Sequence, residues 1–128
     1  MIRRLQMRIA EICNYLESGI AIIRFLSKLY DTDGKLIGPN IIYTDGCWLW
    51  PSYFPFYLRK YSQIQIPAVF RSHISSSRGK EINLSQEERW YIEYITSKVL
   101  GIKFPVGYKL PGPIDDIIKK REDKIACD

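Results

Sequence analysis

The sequence contains one histidine and three cysteines, and this scarcity limits the metal sites that the chain can form. Cys13, Cys47 and Cys127 are far apart, and none belongs to a Cys-x-x-Cys pair or stands at zinc-ligand spacing from His73. An odd number of widely spaced cysteines is typical of reduced thiols in a reducing compartment rather than of a disulfide framework. We therefore predict no metal site and no cofactor.

Long apolar runs are also missing from the sequence. Arg24 and Lys28 interrupt the best candidate for a membrane span, and Glu11 and Glu17 interrupt the apolar region that a signal peptide needs. These interruptions predict a cytoplasmic protein that does not associate with a membrane.

The acid and base groups that an enzyme needs are not grouped in the sequence. His73 has serines and arginine around it, but no neighbouring carboxylate that would orient its imidazole ring. The adjacent acids Asp115-Asp116 and Glu87-Glu88 stand near predicted helix starts, where capping and the helix dipole account for them. We predict that the protein is not an enzyme and that it acts by binding.

The sequence is rich in apolar and aromatic residues, which make up 46% and 13% of its 128 positions. A chain of this length and composition folds as one compact domain and buries about two-thirds of its unfolded surface. Apolar alternation predicts strands at 20–30, 36–43 and 47–50. Gly34 and Gly46 mark the turns of an antiparallel meander, with Asp45-Gly46 as a two-residue hairpin turn.

Apolar residues at helical spacing predict the helices that cover this sheet. Three helices are predicted at 5–17, 53–61 and 86–100, and a short one from Pro67 to Ile74. Together with the strands they predict a single α+β domain over residues 1–128, whose last residues, 114–128, form a helix or a tail.

Polar residues mark the predicted helix starts, and apolar residues mark the predicted core. Ser52 is a predicted N-cap, and Ser85 with Glu88 forms the pattern of a capping box. Two apolar stripes are predicted to face the core, namely Phe54, Tyr57, Leu58 and Tyr61 in one helix and Tyr91, Ile92, Ile95 and Val99 in another.

Basic residues are concentrated in one segment of the chain. Residues 59–80 contain five cations and no acid. The net charges of the rest of the chain sum to zero, so this segment accounts for the net charge of +5. Such a segment predicts a cationic face that attracts an anionic partner, or a solvated face that aids solubility.

Two classes of partner suit this basic and aromatic composition. Tyrosines interleaved with cations at 57–61 suit the bases and phosphates of RNA or DNA, whereas Trp, Tyr and Arg also anchor protein interfaces. Whichever of Trp48 and Trp50 the sheet leaves uncovered is predicted to be the binding hot spot. The predicted partner contacts are Trp48, Trp50, Arg59, Lys60, Arg71, His73, Arg78 and Lys80.

The segment YTDGCWLWPSYFPFYLRKY and the following IPAVFRSHI carry a resemblance to a known class of proteins. Residues 41–74 resemble immunity proteins of contact-dependent growth inhibition and related polymorphic-toxin systems. The resemblance implies a cytosolic protein that binds and blocks a cognate toxin domain, often a nuclease, without catalytic residues of its own. Because inhibitors of basic nucleases are commonly acidic, the net charge of +5 departs from this class and implies an acidic surface on the toxin.

Overall fold

The centre of the fold is an antiparallel sheet with the strand order β1 (Ile20–Tyr30), β2 (Leu36–Thr44) and β3 (Leu49–Pro51). The computed structural model describes residues 8–61 and 63–101, and within them four helices accompany the sheet. The helices are α1 (Ile9–Glu17), α2 (Tyr53–Lys60), α3 (Ala68–Ser77) and α4 (Gln86–Leu100). The predicted α+β class and the meander are confirmed. The first residues of the predicted helix at 5–17 and the predicted helix or tail at 114–128 lie outside the described residues.

The connection between β1 and β2 is a tight turn stabilised by Asp31. The backbone N–H of Asp31 donates to the carbonyl oxygen of Lys35 (2.8 Å), and that of Gly34 donates to the carbonyl of Asp31 (3.0 Å). Gly34 has φ = +82°, a conformation that a residue with a Cβ rarely adopts. The strand bounds 20–30 predicted from the alternation are confirmed.

The connection between β2 and β3 is longer than the predicted two-residue turn. β2 ends at Thr44 and β3 begins at Leu49, so four residues form the loop. The side chain of Asp45 explains this length, because its Oδ1 accepts hydrogen bonds from the backbone N–H groups of Cys47 (2.9 Å) and Trp48 (2.8 Å). An aspartate that bonds the backbone two and three residues ahead stabilises a loop in place of further strand pairing.

The core lies between α1, α2, α3 and one face of the sheet, and Trp50 is at its centre. The indole Nε1–H of Trp50 donates to the carbonyl of Leu16 at the end of α1 (3.0 Å). Gly19 permits this close approach, since a Cβ there would lie 2.6 Å from Cζ2 of Trp50. The buried residues of this cluster are Ile12, Cys13, Tyr15, Leu16, Trp50, Leu58, Ile66, Phe70 and Ile74.

The start of α2 is attached to the sheet rather than capped. Ser52 was a predicted N-cap, but its side chain makes no capping hydrogen bond. Its hydroxyl donates to the carbonyl of Pro39 (2.9 Å) and accepts from the backbone N–H of Ile41 (3.1 Å), both in β2. Tyr61, predicted to be in the inward stripe of this helix, is exposed.

The helix α3 continues past its predicted end at Ile74 to Ser77, so the serines that follow Ile74 are helical. Phe70 and Ile74 are the residues that α3 buries. They are four positions apart and therefore lie on one face of the helix. Val69 is exposed, because it is rotated away from that face.

The ends of α4 are confirmed, but its predicted buried face is wrong. Ser85 and Glu88 form the predicted capping box, and Gly101 ends the helix in the left-handed conformation. Ile95 and Val99 are 37% and 77% exposed, whereas Thr96 and Ser97 are buried. The hydroxyls of these two residues donate to carbonyls one turn earlier in the same helix, at Ile92 and Glu93. Because hydroxyls bonded in this way carry no unsatisfied donor, α4 can place polar residues against the fold.

Replacing Ile95 with alanine is expected to lower the free energy of unfolding by about 1 kcal/mol or less, since its side chain is partly in solvent. The same substitution at the fully buried Ile74 is expected to cost about 2–4 kcal/mol, because it leaves a cavity. Chemical denaturation of the two variants gives both values. Equal losses would mean that α4 buries Ile95 as the sequence pattern predicts.

Candidate functional site

Three elements bring a tyrosine, an aspartate and a histidine together at one end of the core. Tyr15 comes from α1, Asp45 from the β2–β3 loop and His73 from α3. The hydroxyl of Tyr15 donates to Oδ2 of Asp45 (2.5 Å), and Nε2 of His73 lies 2.6 Å from the same oxygen. The side chain of Asp45 is 2% exposed. We call these three residues the Asp45 cluster.

The hydrogen bonds of the cluster keep the buried carboxylate ionised. Burial alone would raise the pKa of Asp45, but hydrogen bonds from Tyr15, from the backbone of Trp48 and Cys47, and from His73 outweigh it and lower the pKa. An ionised carboxylate accepts only, so Nε2 of His73 is the donor. Burial and the neighbouring Asp45 raise the pKa of Tyr15 far above its ordinary value, so Tyr15 stays neutral.

Asp45 and His73, together with the neighbouring Cys47, have the composition of a metal site but lack a free thiolate. Ligand atoms of Asp45, Cys47 and His73 lie within 4.8 Å of one another. Cys47 is disulfide-bonded, so its sulfur does not serve as a thiolate ligand, and the predicted reduced state is wrong for this cysteine. Cys13 is free and buried, and burial raises the pKa of its thiol. The arrangement therefore suits a structural junction better than metal binding.

The predicted basic face loses three of its five cations to ion pairs. Arg59 donates to both carboxylate oxygens of Glu17 in α1 (2.5 and 3.1 Å), which lowers the pKa of Glu17. Arg78 pairs with Glu11, also in α1. The segment 59–80 has no acid of its own, so its partners come from elsewhere in the chain.

The third paired cation, Lys60, joins α2 to the β1–β2 turn. Its Nζ lies 2.8 Å from Asp33 and 3.2 Å from Asp31. The backbone N–H of Lys35, which donates to Asp31, helps to hold the pKa of Asp31 below its ordinary value. The pairing of Lys60 corrects the prediction that it is available to an external anion.

The remaining predicted contacts are divided between the core and the surface. Trp50 is 2% exposed and belongs to the core, which corrects the prediction that it contacts a partner. Trp48 packs against Phe70 but is only partly buried, so its role as the hot spot stays a prediction. Among the described residues, Arg71 and Lys80 are the members of the predicted basic face that have no ion pair.

A second aromatic surface lies on α2 and the residue that follows it. Tyr53 and Tyr61 are 43% and 37% exposed, and Tyr57 stands between them at helical spacing. The ring of Tyr57 is 6.0 Å from the rings of both neighbours, and it is stacked on Tyr61 at an interplanar angle of 8°. Nζ of Lys60 lies 5.5 Å from the ring centre of Tyr61. We call Tyr53, Tyr57 and Tyr61 the tyrosine ridge.

A cleft of about 830 Å³ lies between α2 and the β1–β2 hairpin. Apolar groups such as Phe56 and Pro39 line it together with the ion-paired Arg59, Lys60 and Asp31. Arg59 is paired with Glu17, and Lys60 is paired with Asp31 and Asp33. Lys35 also lines the cleft and has no ion pair among the described residues.

Sequence reasoning missed both the Asp45 cluster and the ridge. Asp45 is 28 residues from His73 and 30 from Tyr15, so no local pattern indicates their contact. The aromatic spacing in 53–61 did indicate one face of a helix, but not that part of it stays in solvent.

The described part of the chain thus presents the exposed tyrosine ridge and the cleft beside α2. No helix within residues 8–61 and 63–101 combines the length and the apolar composition needed to cross a membrane. Comparison of the chain with protein-family models, curated proteins and solved structures finds no match.

Proposed function

We propose that this protein is an immunity protein, which binds the domain of a bacterial toxin and neutralises it without catalysis. The observation that carries this proposal is the tyrosine ridge. Tyrosine side chains offer a large contact area at a small cost in conformational entropy, and they are enriched at the energetic centres of protein interfaces. The ridge lies inside residues 41–74, the segment that resembles immunity proteins.

The ion pairs around the ridge support protein binding over nucleic-acid binding. A nucleic acid gains affinity when cations replace its condensed counterions, so it needs cations that are free to reach phosphates. Arg59 and Lys60, the cations next to Tyr61, are engaged by carboxylates. RNA or DNA binding is therefore the second candidate.

The proposal includes a cytoplasmic location, where the toxin domain would act. The disulfide of Cys47 is the observation that opposes this location, because cytosolic reductants keep most protein thiols reduced. Thiol labelling of the protein in intact cells tests this point. A labelled Cys47 supports the cytoplasm, and a protected Cys47 opposes it.

Growth rescue tests the proposed function. We expect the gene directly upstream to encode a secreted protein, and co-expression of this chain with the C-terminal domain of that protein to restore bacterial growth. If the upstream gene encodes no such protein, or if the domain kills despite co-expression, the proposal is wrong. Binding to a single-stranded oligonucleotide with a steep dependence on salt would favour the second candidate.

The role of the ridge is tested with two matched tyrosines. Nζ of Lys60 lies 5.5 Å from the ring centre of Tyr61, the residue after α2, and Nζ of Lys98 lies 5.0 Å from the ring centre of Tyr94 in α4. Tyr61→Ala is expected to weaken binding of the toxin domain about tenfold or more, because it removes an interface anchor. Tyr94→Ala is expected to leave the Kd nearly unchanged. Calorimetric titration measures both, and equal effects would remove the ridge from the interface.

A further inference from the structure

Asp45, Cys47 and His73 bring three different kinds of ligand atom to one point of the fold. The β2–β3 loop supplies the first two residues and α3 supplies the third. Their ligand atoms, one from each residue, lie within 4.8 Å of one another. A carboxylate oxygen, a thiolate sulfur and an imidazole nitrogen are the kinds of ligand that bind Zn²⁺ in proteins. We call these three residues the ligand set.

The distances within the ligand set suit a zinc ion after a small movement. Zinc bonds to nitrogen and oxygen are about 2.0–2.2 Å long and bonds to sulfur about 2.3 Å, so the ligand atoms of a tetrahedral site lie about 3.3–3.7 Å apart. Nε2 of His73 and Oδ2 of Asp45 are 2.6 Å apart, as partners in a hydrogen bond. A metal in the place of the shared proton would move these two atoms apart by about 1 Å or less.

The carboxylate of Asp45 is held in place by groups that need not move when a metal binds. Its Oδ1 accepts the backbone N–H groups of Cys47 (2.9 Å) and Trp48 (2.8 Å). Its Oδ2 accepts the hydroxyl of Tyr15 (2.5 Å) and has a second lone pair, which accepts from His73. Hydrogen bonds of this kind orient the ligands of metal sites. Only the bond from His73 therefore has to be exchanged for a metal bond.

Cys47 gives a metal ion access to the ligand set from solvent. It is exposed, whereas the side chains of Asp45 and His73 are 2% and 14% exposed. Two buried ligands and one surface ligand provide an entry path and then remove the bound ion from most of the solvent.

The disulfide bond of Cys47 withholds the third ligand, because a thiolate is the form of cysteine that binds metals. Two thiols of a reductant such as glutathione transfer two electrons and two protons to the disulfide. This exchange yields two cysteine thiols and one disulfide of the reductant. The thiol of Cys47 then loses its proton when it binds the metal, and His73 moves its proton from Nε2 to Nδ1.

We propose that reduction of Cys47 converts the hydrogen bond between Asp45 and His73 into a zinc site with three protein ligands. The oxidised chain keeps the hydrogen-bonded junction, and the reduced chain binds the ion. The fourth position is left to water, as in other zinc sites with three protein ligands. This inference goes beyond the proposed function and does not rest on it, because it requires no toxin domain.

A zinc ion on Cys47 changes how thiol labelling in intact cells is interpreted. A disulfide and a bound ion both protect the sulfur from alkylation, and a membrane-permeant chelator removes only the ion. Labelling is therefore measured after addition of the chelator, when a protected Cys47 is an oxidised one.

Cobalt absorption tests the site directly, because Co²⁺ occupies tetrahedral zinc sites and absorbs light. The protein is reduced with a phosphine, separated from it without oxygen, and titrated with Co²⁺. We expect the visible bands of tetrahedral cobalt and a near-ultraviolet band from thiolate to cobalt, both saturating at an equimolar ratio and both abolished by Zn²⁺. The oxidised protein should show neither. A reduced protein without the thiolate band would overturn the proposal, and so would equal spectra in the two states.

Substitutions measured under the same reducing conditions identify the thiolate. Cys47→Ser changes an exposed residue and is expected to weaken zinc binding about hundredfold or more, since even the loss of an outer hydrogen-bond partner costs about 10–100-fold. Cys13→Ala is the matched control, because the buried thiol of Cys13 donates to the carbonyl of Pro55 (3.6 Å) and is not in the ligand set. Its Kd should stay near that of the wild type. Equal affinities of Cys47→Ser and the wild type would contradict the proposal.

Thermal unfolding tests the imidazole ligand with a second readout. An ion that binds only the folded chain raises Tm, and saturating Zn²⁺ is expected to raise that of the reduced wild type by about 5 °C or more. His73→Gln keeps a hydrogen-bond donor for Asp45 but has no imidazole, so its Tm should not respond to Zn²⁺. The Tm of the oxidised wild type should not respond either. A similar rise in all three samples would mean adventitious binding elsewhere on the chain and would overturn the proposal.

Discussion

Replacing Trp50 with alanine is expected to lower the free energy of unfolding by about 3–5 kcal/mol, a large part of the total stability of a small domain. Trp50 is buried among Tyr15, Leu16 and Phe70, so truncation leaves a cavity that these side chains cannot fill without moving. The variant also leaves the carbonyl of Leu16 without the indole donor. Chemical denaturation measures the loss.

A second substitution separates packing from hydrogen bonding at Trp50. Trp50→Phe keeps most of the ring volume but lacks the N–H group, so a smaller loss of about 1–2 kcal/mol is expected. A loss below about 1 kcal/mol for Trp50→Ala would contradict the central position of the indole. It would also revive the prediction that Trp50 contacts a partner.

Replacing Asp45 with alanine is expected to cost about 3–5 kcal/mol, because the buried hydroxyl of Tyr15 and Nε2 of His73 lose their common acceptor. The backbone N–H groups of Cys47 and Trp48 lose their acceptor as well, which loosens the β2–β3 loop. Asp33→Ala is the matched control, since its carboxylate is exposed, and a much smaller loss is expected there. Similar losses for the two variants would contradict the structural role of Asp45.

The pH dependence of stability gives an independent test of Asp45. Its pKa in the folded protein is below the ordinary value of 3.8. The stability that ionised Asp45 contributes is therefore fully present above that value and is lost as the pH falls through the lowered pKa. Wild-type stability should decline below about pH 4. Asp45→Asn, which cannot gain this proton, should decline less steeply, and an unchanged slope would exclude Asp45 as a source of the decline.

The sequence predicted correctly those features of the fold that depend on residues close together in the chain. The alternation of apolar residues gave β1 its observed bounds, and the capping box of Ser85 and Glu88 gave the start of α4. The buried face of α4 was predicted wrongly because Thr96 and Ser97 satisfy their hydroxyls within the helix. A pattern based on apolarity alone assigns such residues to solvent and Ile95 to the core.

The candidate site was harder to predict because its contacts join distant segments. Arg59 is 42 residues from Glu17, and Arg78 is 67 residues from Glu11, so a count of charges within 59–80 could not reveal their pairing. The same count did not single out Arg24 and Lys28, because residues 1–30 also contain Glu11 and Glu17. The fold directs those glutamates to Arg59 and Arg78, and within residues 8–61 and 63–101 Arg24 and Lys28 have no ion pair.

Leu26 of β1 is fully exposed, and the two cations near it in the strand bear on how the protein behaves when no partner is present. A fully exposed leucine on a strand favours aggregation, and nearby charges of one sign oppose it by keeping neighbouring molecules apart. Arg24 and Lys28 are placed to act in this way on either side of Leu26. Neutral substitutions at these positions would remove this protection, whereas reversal to glutamate retains mutual repulsion. Charge reversal is therefore the substitution that keeps the unbound protein dispersed in solution while changing which surfaces it attracts.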